Sequence, residues 1–250
     1  MTTTVFEPGG YRFAPGVSQY SAGIAAQPGY ALHRVRFTEP VPLAKGFDLI
    51  QAHMKAIGRP LQAFGACELR SPAPFTEQGF RDFNEIYIGT LKHWGIFIDG
   101  LNPVARSNVC PQIGPPNEPS MHAFSFTVPE ANAHPSFVIA GSAEAPEGHG
   151  SYREVAVALG DLSTDGLRKK MTFVVGEMHR RMQQLGFDWP DVTATQIYTV
   201  HDFHSLLVEQ FTATRALPHG LTWYFNRPPV LDLEYEMDCR AVFHEHVMKV

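Results

Sequence analysis

The chain repeats itself, and this constrains its fold more than any other feature. Met54-Lys55-Ala56-Ile57-Gly58 aligns with Met182-Gln183-Gln184-Leu185-Gly186, and in the same register Ala66-Cys67-Glu68-Leu69-Arg70 faces Ala194-Thr195-Gln196-Ile197-Tyr198. Further on, Asp82-Phe83-Asn84 matches Asp202-Phe203-His204 at a shortened spacing. The shortening fits an insertion in the first copy around Ser71-Pro72-Ala73-Pro74, which has a loop composition.

Each copy reads in one order. Apolar residues at helical spacing (Phe47, Ile50, Met54, Ile57, and Met171, Val174, Val175, Met178, Met182) predict a first helix, with Gly58 and Gly186 as its C-terminal caps. A strand is expected over 62–69 and 192–199, and a second helix over 76–94 and 203–214. Two more strands close each unit, 105–110 with 122–128 and 221–225 with 231–242. Ahead of each first helix lie β-like segments, 19–26 with 32–37 and 137–143 with 154–159, and the stretch 129–136 reads as a linker. The implied class is α+β: two tandem units, 1–130 and 131–250, each a mixed or antiparallel sheet with two helices on one face. The other face needs cover, so self-association is expected.

A hydrophobic content of 44% against 18% charged residues supplies cores for two such units. A net charge of −5, with no basic run longer than Arg168-Lys169-Lys170, argues against a nucleic-acid partner. Apolar runs such as Phe137-Val138-Ile139-Ala140 are too short to span a membrane, and Met1-Thr2-Thr3-Thr4 does not read as a secretory signal. Cys67, Cys110 and Cys239 are odd in number and far apart, as expected of buried free thiols in a reducing cytoplasm.

Three segments in this order resemble the Rid (reactive intermediate deaminase, YjgF-like) superfamily. Tyr20-Ser21-Ala22-Gly23 is similar to its N-terminal Tyr-Ser-x-Gly segment. Phe83-Asn84-Glu85-Ile86-Tyr87 resembles the Asn-x-x-Tyr pattern of its second helix, and Pro103-Val104-Ala105-Arg106-Ser107-Asn108-Val109 its Pro-Ala-Arg-Ser-x-Val strand with one residue inserted. The resemblance implies a chorismate-mutase-like fold and cofactor-free hydrolysis of imines and enamines of 2-amino acids. It also implies an arginine gripping the substrate carboxylate, and sites between the subunits of a homotrimer, here three tandem chains. Among longer relatives the chain resembles 2-aminomuconate-type deaminases of aromatic degradation.

Each copy departs from the family pattern. Where the family carries Glu-x-Glu, the first copy reads Met121-His122-Ala123-Phe124-Ser125; the second keeps Leu233-Glu234-Tyr235-Glu236 but has Pro218-His219-Gly220-Leu221 in place of the arginine motif. Either one copy is a remnant, or a combined site spans the two.

Imine hydrolysis needs a carboxylate anchor, polarisation of the carbon–nitrogen bond and a positioned water. Arg106 supplies a bidentate anchor. Asn84, Tyr20, Ser107, Asn108 and Cys110 are the candidate substrate contacts, and Glu234, Glu236 or His122 the candidate acid–base group. A dicarboxylate would want a second cation, for which Arg12, Arg70 and Arg240 are candidates. No metal or other cofactor is expected: His201 with His204, and His244-Glu245-His246, each bring only two imidazoles together. Gly148-His149-Gly150 reads as a hairpin loop rather than a phosphate cradle, and no Gly-x-Ser-x-Gly elbow is present. The competing readings are a non-catalytic binding protein on the same scaffold and a chorismate-mutase-like isomerase.

Overall fold

Both repeats build the same strand pattern. The structure, a computed structural model, describes residues 3–148 and 150–250; His149 of the expected hairpin loop lies outside them. The first repeat contributes β1 (Thr4–Phe6), β2 (Tyr11–Ala14), β3 (Gly23–Ala26), β4 (Tyr30–Pro42), α1 (Leu43–Ala56), β5 (Phe64–Arg70), α2 (Glu77–His93), β6 (Ala105–Pro111) and β7 (Ser120–Pro129). The second contributes β8 (Phe137–Ala143), α3 (Tyr152–Val155), α4 (Thr164–Gln184), β9 (Ala194–Thr199) and α5 (Leu207–Phe211). Four strands complete it: β10 (Thr222–Tyr224), β11 (Asn226–Arg227), β12 (Tyr235–Ala241) and β13 (His244–Met248). In the first repeat β5 runs parallel to β6 and antiparallel to β7, which pairs antiparallel with β4. In the second, β9 is parallel to β10 and antiparallel to β12, which pairs antiparallel with β8.

The first helices form where the apolar spacing places them. Met171, Val174, Met178 and Met182 are fully buried on α4, each contributing roughly 1.5–3 kcal/mol relative to exposure. Phe47, Ile50 and Met54 do the same on α1, while Ile57 lies beyond the helix and is 44% exposed. Gly58 and Gly186 have φ of +67° and +80°, the left-handed conformation that ends a helix most easily at glycine. Helices α1 and α2 share one face of their sheet, with the Phe47 ring 6.1 Å from Tyr87.

The two sheets exchange edge strands. The seven-stranded sheet runs β1-β2-β3-β8-β12-β9-β10, so the N-terminal strands complete the sheet of the second repeat. The six-stranded sheet runs β11-β6-β5-β7-β4-β13, so two strands from the second repeat complete that of the first. The face that was expected to need a second chain is covered within this one. The sheets meet across a polar layer, where Gln196 Nε2 lies 3.4 Å from Glu68 Oε2 and Arg34 Nε donates to Glu68 at 2.6 Å.

Two expectations change. The second helix of the second copy is broken into a 3-10 turn (His204–Leu206), α5 and another 3-10 turn (Thr212–Thr214). Residues 154–159 form no strand; the turn α3 stands there, with Ser151 N donating to Glu154 Oε2 at 3.2 Å. Such a Ser-x-x-Glu spacing is a helix-start signal. Among the described residues no helix is long and apolar enough to cross a membrane.

Candidate active site

Arg106 sits on β6 beside Cys67 of β5, and its side chain points toward α2. Its guanidinium lies 4.8 Å from the ring centroid of Tyr87, 5.0 Å from Tyr20, 5.6 Å from Phe80 and 5.7 Å from Phe83. Aromatic faces attract a cation without neutralising it. Nη1 donates to Asn84 Oδ1 at 2.7 Å. Among the described residues no carboxylate oxygen comes within 4.0 Å of this guanidinium, although only 3% of the residue is exposed. A buried cation without a counter-ion is expensive unless an anion is meant to arrive.

The segment ahead of β3 carries Tyr20 to this point. Ser21 N donates to Val104 O at 2.9 Å and Ser21 Oγ to Pro103 O at 3.0 Å, which fastens it to the start of β6. The Tyr20 hydroxyl then donates to Glu147 Oε1 at 2.6 Å. Asn84 is buried, and its Nδ2 has no partner. Asn108 also lines the cleft; its Oδ1 accepts from Ser71 at 2.9 Å, and its Nδ2 is likewise unpaired. Two unsatisfied buried donors beside an unneutralised guanidinium suit an acceptor-rich guest.

The second repeat supplies the opposite wall. Gly141 and Ala143 of β8, Glu147, Tyr152 of α3 and Glu236 of β12 line one cleft with Arg106, Tyr20 and Asn108. Its narrow core holds about 30 Å³, within an empty region of about 430 Å³ that opens to solvent. Gly141 permits the approach of the sheets: a Cβ there would stand 2.3 Å from Glu236 Oε1 and 3.0 Å from Ser107 Cβ. Glu236 is 4% exposed, and burial pushes its carboxyl well above the usual range, aided by Asp238 and opposed by Arg106 and Arg181. A carboxyl that keeps its proton near neutrality can act as an acid and, once it has given that proton up, as a base.

The candidates from sequence divide. Arg106, Asn84, Tyr20, Asn108 and Glu236 come together; Ser107 faces the inter-sheet gap behind Arg106. Glu234 does not join them. It precedes β12, outside that strand, and is held away from the cleft by His201 Nε2 at 2.6 Å and Arg227 Nη1 at 2.7 Å. His122 faces the Glu68–Arg70 side, where burial and Arg70 lower its imidazole to about 3, leaving it no base for this cleft. Cys110 is fully buried and does not line the cleft; burial raises its thiol to about 12. Of the proposed second cations, Arg12 donates to Leu185 O at 2.7 Å, Arg70 stacks on Tyr198 and Tyr224, and Arg240 pairs with Glu245 at 2.6 Å.

The cation that sequence reasoning missed is Arg181. It is fully buried on α4, donates to Ala140 O and Gly141 O at 3.0 and 3.2 Å, and reaches Glu147 Oε1 at 3.0 Å. A signal was available, since Arg181 falls on the apolar stripe of Val174, Met178 and Met182, where a charge needs a reason.

The chain is 51% identical over 246 residues to a 2-amino-5-chloromuconate deaminase of Comamonas testosteroni, covering 98% of both chains. Its fold is similar to that of a chorismatase crystal structure, with a TM-score of 0.51 at 12% identity over 97% of this chain and 89% of the other. The family described as 2-aminomuconate deaminase CnbZ matches residues 3–246, and the chain belongs to that family.

Proposed function

We propose that this protein hydrolyses the enamine or imine of a 2-aminomuconate, or a substituted derivative, to the 2-oxo acid and ammonia without a cofactor. The observation that carries this reading is the Arg106 guanidinium, buried without a counter-ion in a cleft whose far wall holds Glu236. The deaminase of Comamonas testosteroni that this chain resembles and the family's description support the substrate class.

Arg106 takes the carboxylate next to the reacting carbon in a bidentate grip. Glu236, in its acid form, gives its proton to the enamine carbon, and the double bond shifts to make a carbon–nitrogen iminium. The resulting carboxylate takes a proton from water as the water oxygen bonds to that carbon. Glu236 returns this proton to the nitrogen, the carbon–nitrogen bond breaks, and ammonia leaves. The proton of the new carbonyl oxygen goes back to Glu236, so the enzyme ends as it began. Tyr20 and Glu147 line the approach for the remainder of the substrate, and Arg181, buried behind them, pairs with Glu147 and balances its charge.

Three tandem chains assembling as a homotrimer in the cytoplasm complete the proposal. Exposed Trp223, Phe225 and Leu231 support the apolar contact, and free buried cysteines support a reducing compartment. The test is ammonia release from enzymatically generated 2-aminomuconate. Arg106→Ala should abolish it while circular dichroism and melting stay near wild type. A wild-type chain inert toward 2-aminomuconate and its chloro derivative would end this reading.

A further inference from the structure

Beyond the cleft, the first sheet brings together three metal-ligating side chains from three distant parts of the chain. Strand β13 pairs parallel with β4 so that His244 stands directly opposite His33. The two imidazoles stack with centroids 4.3 Å apart and planes 21° apart. On the other side of β4, β7 ends at Pro129 opposite Tyr30, which delivers Glu130 to the same spot. Glu130 Oε2 lies 3.3 Å from His244 Nε2, and the ligand atoms of His33, Glu130 and His244 all lie within 4.8 Å of one another.

We propose that His33, His244 and Glu130 bind a divalent transition-metal ion of the Zn²⁺ type, tethering the C-terminal strand to the first sheet. Nitrogen and oxygen ligands at roughly 2.0–2.2 Å from a tetrahedral ion stand about 3.3–3.6 Å apart. The Glu130–His244 separation already meets this, and the remaining pairs need to close by about an ångström or so at most. His33 Nε2 is buried with no hydrogen-bond partner, so one ligand atom waits unsatisfied. His246, with its ring 6.0 Å from His33, or a water completes the shell.

Two imidazoles and one carboxylate suit a borderline ion better than Mg²⁺ or Ca²⁺, which take oxygen ligands. A tether has a purpose here. Strand β13 is a five-residue edge strand whose middle residues are exposed, and it carries Glu245, which pairs with Arg240 at 2.6 Å and Arg34 at 3.4 Å. The site shares no residue with the Arg106 cleft, so it stands whatever the reaction proves to be.

The experiment uses the full chain without a polyhistidine tag, dialysed against chelator and titrated with Zn²⁺ by calorimetry, with bound metal counted by elemental analysis. We expect one saturable ion per chain and a higher melting temperature. Glu130→Gln, which leaves the strand ladder intact, should weaken binding at least about tenfold. His244→Ala should abolish it, and the exposed control His93→Ala should change nothing. Co²⁺ should give visible absorption bands that disappear in Glu130→Gln. Absence of a saturable first equivalent, or Zn²⁺ binding that survives His33→Ala/His244→Ala together, would overturn the proposal.

Discussion

Lys170 Nζ lies 3.2 Å from Glu144 Oε1, and neither side chain has any exposed surface. The same carboxylate accepts the backbone N–H groups of Glu234 and Tyr235 at 2.7 and 3.0 Å. A charge on α4 therefore sets the entry into β12, two residues before Glu236. Lys170→Met should destabilise the chain by about 3 kcal/mol, because it strands a buried carboxylate. Urea unfolding measures it; a loss below about 1 kcal/mol would mean the backbone N–H groups suffice.

Asn84 is proposed to act through Arg106, so its replacements should rank by charge. Asn84→Ala frees the guanidinium and should raise KM about tenfold, with kcat less affected. Asn84→Asp puts a carboxylate where the 2.7 Å acceptor now stands and neutralises the anchor, which should raise KM roughly a hundredfold. Steady-state kinetics on both variants decides, and an Asp variant as good as the Ala variant would contradict an anionic guest at Arg106.

Glu236 should trade stability for activity. Its folded-state carboxyl titrates above the ordinary 4.5, so its contribution is fully present below that value and declines as pH rises toward the folded value. Glu236→Gln should therefore be more stable than wild type at about pH 8, with the gap closing near about pH 4.5. Ammonia release should fall at least about a hundredfold. An active Gln variant would remove Glu236 from the chemistry.

His122 makes the opposite contribution. Its imidazole, lowered from 6.5 to about 3, stays neutral in the fold while the unfolded chain takes up a proton. Stability tied to this group is whole above 6.5 and is lost as pH falls toward 3. His122→Gln should spare about 3 kcal/mol of that loss at about pH 4, with turnover at neutral pH near wild type. Denaturant midpoints at acid and neutral pH compare the two.

Local signals in the chain determined a good deal. The apolar spacing of α1 and α4, the glycines behind them and the repeat predicted two α+β units, because helix periodicity and capping depend on neighbours in sequence. The order of Tyr20, Asn84 and Arg106 marked one wall of the cleft. The charges at 170 and 181 were also visible on an apolar stripe, but their partners, Glu144 and Glu147, were not. What only the tertiary structure decided is long-range: that β1–β3 join the other repeat's sheet, that Glu236 and not Glu234 lines the cleft with Arg106, and that His33 faces His244. Strand partners are chosen by hydrogen bonding and burial between segments far apart in the chain, and no spacing within a single segment encodes that choice.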